Sequence, residues 1–88
     1  MSEIKQGSMV KVINTGETYS TYTDMFVHMR AELGFTDFTH AYRLQPEEGE
    51  VYMVLAVEKH LTNNDTVALI HNDNQKGYLI SIDGLELI

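Results

Sequence analysis

The side chains here that could ligate a metal or move a proton are four histidines, His28, His40, His60 and His71, and thirteen Asp and Glu carboxylates. A metal site built within one element needs ligands at short fixed intervals, such as His-x-His on a strand or two histidines four apart on a helix. No two of these histidines have that spacing. The expectation is surface or half-buried histidines, with no metal and no cofactor. Asn72-Asp73-Asn74 has the oxygen donors of a calcium loop, but the glycine and distal glutamate of such a loop are out of register, so the segment reads as a turn. Gly16 and Gly34 stand alone and form no phosphate-cradling cluster. Serines and threonines lack a nucleophile-elbow context. Carboxylates in an acidic domain are usually solvated, so their number assigns no acid or base. No catalytic residue stands out, and the chain does not read as an enzyme.

Charge and composition narrow the class of partner. Six Lys and Arg against thirteen Asp and Glu leave a formal charge of -7, a field that repels a phosphate backbone. The basic residues, Lys5, Lys11, Arg30, Arg43, Lys59 and Lys76, are scattered singly. Nucleic acid is therefore an unfavourable partner. With no cysteine, disulfide scaffolds and thiolate zinc sites are excluded. No apolar run approaches the ~20 residues of a membrane span, and no signal peptide is recognisable. These features lead to the expectation of a soluble protein of the cytoplasm. At 88 residues the chain is one domain, residues 1–88, with a small core in which every large apolar side chain counts.

The positions of the apolar residues define the elements. Met9 to Ile13 alternates as a strand, with Val10 and Val12 on one face and Met9, Lys11 and Ile13 on the wetter one. Asn14-Thr15-Gly16 ends it with turn chemistry. From Thr21 to Gly34 the period changes from 2 to about 3.6. Tyr22, Met25, Phe26, Met29 and Leu33 form a helical stripe opposite Asp24, Val27, His28 and Ala31. Thr21 and Asp24 fit a capping box, and Gly34 suits a left-handed cap that lets Phe35 pack back on Met29. The helix is expected over about residues 22–33, with its stripe on the sheet. Phe35 to Gly49 has no period and reads as a loop. In the strand from Val51 to Val57 both faces are apolar, which predicts cover on two sides. Leu61 to Asp65 and Asn72 to Gly77 read as turns around a strand from Thr66 to His71, with His60 opposite Val67 across the first hairpin. Tyr78 to Ile82 follows, and Asp83-Gly84 leads to Leu85–Ile88, which is expected to pair with the first strand and close the sheet.

Taken together, the glycine-led SMVKVIN, two consecutive hairpins over GEVYMVLAVEKH, TVALIH and GYLISI, and the Asp83-Gly84 turn into LELI resemble an SH3-like barrel. The resemblance covers roughly half of the chain and is architectural. It implies a mainly β (α+β) domain: a small antiparallel barrel of about five strands, with one helix inserted after the first. A helix replaces the long irregular hairpin of the usual domain, and the acidic-aromatic motifs that read proline-rich ligands are not recognisable. The Tyr19-Ser20-Thr21-Tyr22 lead into the helix and the terminal GYLISIDGLELI are also similar to small uncharacterised proteins of tailed bacteriophages. That resemblance implies a host-cell cytoplasmic setting and an accessory role.

Six of the eight aromatic residues lie between Tyr19 and Tyr42. Aromatic side chains anchor interfaces because they bury much area at low entropic cost. Tyr19, Phe38, His40 and Tyr42, with the acidic Glu47 and Glu48, are therefore the candidate partner-binding residues, although Phe38 and Tyr42 could equally fill the space between helix and sheet. The leading expectation is a non-enzymatic protein-interaction module. The alternatives are an acidic mimic of nucleic acid, which needs carboxylates in paired rows, and a small-ligand binder with a pocket near Met29 or Tyr52. Oligomeric state is open.

Overall fold

A computed structural model describes residues 3–19, 24–33, 46–62, 64–72 and 77–88. Six strands form one antiparallel sheet: β1 (Met9–Val12), β2 (Thr18–Tyr19), β3 (Val51–Lys59), β4 (Thr66–His71), β5 (Gly77–Ser81) and β6 (Leu85–Leu87). One helix, α1 (Asp24–Leu33), lies between β2 and β3 in sequence, and 3-10 turns at Thr15–Glu17 and Ile82–Gly84 precede β2 and β6. The strand order is β2-β5-β4-β3-β1-β6.

Period-two alternation sorts the sheet's inner face from its outer one. Val10 and Val12 of β1, Tyr52 and Val54 of β3, Ala68 and Ile70 of β4, Tyr78 and Ile80 of β5 and Leu85 of β6 form the inner cluster. Tyr52 and Tyr78 meet there edge to face, with ring centroids 5.9 Å apart, the arrangement the ring quadrupole favours. On the outer face, Leu55, Val67, Leu69 and Leu79 pack under Met25, Phe26 and Met29 of α1. The helical stripe thus docks as expected, and Asp24, Val27, His28 and Ala31 face outward. Thr21, Tyr22, Gly34 and Phe35, assigned to the helix ends, lie outside the described residues.

A β-bulge changes β3. Met53 pairs with His71 and Val54 with Ile70, but the next pair is Ala56 with Leu69, so Leu55 is the extra residue. Leu55 and Ala56 both go with the outer cluster, and Val57 returns to the inner one. Strict alternation places Leu55 and Val57 on the face of Val51 and Met53; Leu55 keeps that face, and the inserted residue reverses the parity after it, so that Ala56 turns outward and Val57 inward. Val51 and Met53 are also exposed rather than covered, because α1 lies over the other half of the outer face. At the hairpin end, Lys59 pairs with Thr66, and the His60 amide donates to Asp65 O at 2.8 Å. His60 therefore lies opposite Asp65, not Val67.

β6 pairs with β1 as expected (Val10 with Leu87, Val12 with Leu85), but the sheet is not closed. Its ends are β2 and β6, and there are six strands rather than about five, since the chain after the Thr15–Glu17 turn adds a two-residue strand on β5. The physical reason is the pair of 3-10 turns. They face one another, and Gly84 O there accepts the Ile13 and Asn14 amides at 2.9 and 3.3 Å in place of a strand ladder. A Cβ on Gly84 would sit 2.6 Å from Asn14 O, so this approach needs glycine. Asn14 Oδ1 accepts the Gly16 amide at 2.9 Å and Ser81 Oγ the Asp83 amide at 3.3 Å, capping the two turns.

Candidate functional site

Among the described residues α1 covers only part of the sheet's outer face, and the register shows how the residues of the other part line up. Met9 is directly opposite Met53, Lys11 opposite both Val51 and Glu86, and the Ile88 amide donates to Met9 O. Residues opposite one another share a face, so Ile88, Met9 and Met53 form one row and Glu86, Lys11 and Val51 the next, with Ile13 beyond Lys11. Five of these side chains, Met9, Ile13, Val51, Met53 and Ile88, are large and apolar, with exposures from 37% at Met53 to 69% at Ile88. Scattered apolar residues are ordinary on a surface; contiguous ones rimmed by charge mark a contact face. The described cation within the patch, Lys11, lies 3.6 Å from Glu86. A shallow hollow lined by Met9, Val51, Met53, His71 and Asn72 adjoins the first row.

The acidic candidates stand in the segment that precedes β3. Glu47, Glu48 and Glu50 are exposed in the segment leading into β3, and that segment is bound to the end of β1, where the Gly49 amide donates to Val12 O and the Val12 amide to Glu50 O. Glu48 Oε1 is also approached by the Thr15 amide and hydroxyl at 3.4 and 3.5 Å. The Glu47 amide donates to Tyr52 Oη at 3.0 Å.

Tyr19 is placed differently, half-buried on the cluster beneath α1. Its ring stacks on His60, with centroids 4.8 Å apart and planes at 29°, and its hydroxyl donates to Asp65 Oδ2 at 2.6 Å. Asp65 Oδ1 accepts the fully buried Ser81 hydroxyl at 2.9 Å. One carboxylate from the β3–β4 turn therefore ties β2 to β5. Tyr19 serves to hold that turn, whatever it also contacts. Phe38, His40 and Tyr42 lie outside the described residues.

A second cluster sits where α1 crosses β3. His28 and Glu32, one helical turn apart, approach each other at 3.6 Å (Nε2 to Oε1), and Glu58 Oε2 is 3.7 Å from the same His28 nitrogen. Burial pushes the Glu58 carboxyl above its usual 4.5; hydrogen bonding to Glu32 and its charge add to the rise, and His28 opposes it. Among the described residues this is the group of His, Asp and Glu side chains close enough to share a cation. Spacing between histidines could not reveal it. The signal present in the sequence was His-x-x-x-Glu on the helix, with Glu58 concealed by the bulge.

No protein family, no curated protein and no solved structure matches the chain. Function is therefore argued from these surfaces.

Proposed function

We propose that this chain is a non-enzymatic protein-interaction domain that engages a basic, apolar segment of another protein through the outer face of β1, β3 and β6. The observation that carries the reading is the apolar patch of Met9, Ile13, Val51, Met53 and Ile88, on the half of the sheet α1 does not cover. Charge supplies the partner's chemistry. Glu47, Glu48 and Glu50 are exposed in the segment that leads into β3, in a chain of net charge -7, and Lys11 is already paired with Glu86. A partner that sets apolar side chains on the patch and cations beside the glutamates satisfies both features and is steered by the long-range field. The acidic-mimic alternative calls for rows of carboxylates; the rows on this face hold one carboxylate, Glu86, already paired with Lys11, which favours a protein partner.

The finer reading of the fold is SH3-like. It is supported by the course of the chain, since β1, its 3-10 turn and β2 run antiparallel to β5, its turn and β6. A cytoplasmic setting rests on the absence of cysteine, and an accessory role in phage infection on the sequence resemblance alone. Among the described residues no helix is long and apolar enough to cross a membrane.

The test uses two synthetic peptides, alternating Leu with Lys and Leu with Glu, titrated into protein labelled at the methionine methyls. The basic peptide should move the Met9 and Met53 signals and leave the buried Met25 and Met29 signals in place. Equal response to both peptides, or shifts at Met25 and Met29 alone, would refute the assignment.

A further inference from the structure

We propose that His28, Glu32 and Glu58 form a binding site for a divalent cation of the zinc class. The three ligating atoms lie within 4.8 Å of one another, and His28 Nε2 stands 3.6 and 3.7 Å from the two carboxylate oxygens. Those separations are long for hydrogen bonds, which fall at about 2.7–3.2 Å. They are close to what a tetrahedral ion requires: metal–ligand bonds of about 2.0–2.2 Å put neighbouring ligands about 3.3–3.6 Å apart. The histidine–carboxylate separations need to contract by only a few tenths of an ångström, and the two carboxylate oxygens, within 4.8 Å of each other, by up to about 1 Å.

Two elements build the site, and a specific feature of each makes it. On α1, His28 and Glu32 are four residues apart and so project from one face. On β3, the extra residue at Leu55 turns Glu58 outward; without it, alternation from Val54 would carry the Glu58 carboxylate into the inner cluster. Bulges recur where a strand must re-aim a functional side chain. Imidazole with two carboxylates is a donor set suited to zinc, which leaves a fourth position for water. That position adjoins a groove of about 690 Å³ lined by Glu3, Lys5, Glu32 and Glu58 among others. A cation there would also relieve the repulsion between two neighbouring carboxylates and pin α1 to β3.

The experiment is calorimetric titration of Zn2+ into metal-stripped protein, repeated on His28→Ala, Glu58→Gln and, as a control, His71→Gln. All three site side chains are partly exposed, and circular dichroism with thermal melting verifies that the variants fold. The expected result is one-to-one binding, weakened at least about tenfold by either site substitution and unchanged by His71→Gln. Absence of saturable binding to the wild type, or an affinity that His28→Ala leaves unchanged, overturns the proposal.

Discussion

Replacing Asp65 by alanine tests how the sheet is held together near its open edge. The substitution leaves two hydroxyls without their acceptor, Tyr19 Oη at 2.6 Å and Ser81 Oγ at 2.9 Å. Hydrogen bonds to a charged group contribute about 1.5–3 kcal/mol each. Ser81 is fully buried, but Tyr19 and Asp65 are half-buried, so water offsets part of the loss and the lower end of that range applies. The sum is about 3 kcal/mol. In urea, with a slope of about 1 kcal/mol per M for a domain of this size, the midpoint falls by about 3 M at unchanged slope. Tyr19→Phe alone should cost about 1.5 kcal/mol, and in the double variant the Tyr19 change should add little, because its partner is already gone. A midpoint for Asp65→Ala within about 0.5 M of the wild type, or full additivity with Tyr19→Phe, would refute the assigned network.

Other consequences follow from single contacts. Gly84→Ala forces a Cβ within 2.6 Å of Asn14 O and should cost about 1–3 kcal/mol in chemical denaturation; Gly7→Ala meets no atom but occupies a positive φ of 89°, and should cost about 1 kcal/mol. Phe26→Ala empties the centre of the cluster beneath α1 and should lower stability by about 3–5 kcal/mol. Burial raises the Tyr78 phenol above its usual 10.0, with the charges of Tyr52 and Glu47 adding to the rise. A group whose pKa is higher folded than unfolded contributes stability that is complete below the unfolded value and lost as pH climbs through the folded one. Stability should therefore fall above about pH 10, and Tyr78→Phe should lessen that fall in denaturation curves recorded across pH 8–12.

What the sequence disclosed was what local periodicity encodes. Val10 and Val12 alternate with Met9 and Lys11, and the structure buries the first pair and exposes Met9. The stripe of Met25, Phe26 and Met29 was equally legible, because each lies on one side of an amphipathic helix and each is buried. Legibility ended at β3. Its two apolar faces were consistent with cover on both sides, but a bulge adds one residue without changing composition, and alternation cannot locate it. The exposure of Val51 and Met53 depends on where α1 comes to rest, a tertiary fact. The Glu58 cluster was concealed for both reasons. The open edge followed from the two 3-10 turns, whose capping residues Asn14 and Ser81 look like ordinary turn and strand positions in the sequence.

The most direct measurement of the central claim is the affinity of the basic, apolar peptide for wild-type protein and for a Met9→Gln/Met53→Gln double variant, with folding verified by denaturation. Both side chains are exposed, so the variant should unfold at nearly the wild-type midpoint. The account predicts at least about a tenfold loss of affinity, corresponding to about 1.4 kcal/mol. Unchanged affinity in a folded double variant would contradict it and remove the outer face of β1, β3 and β6 as the binding surface.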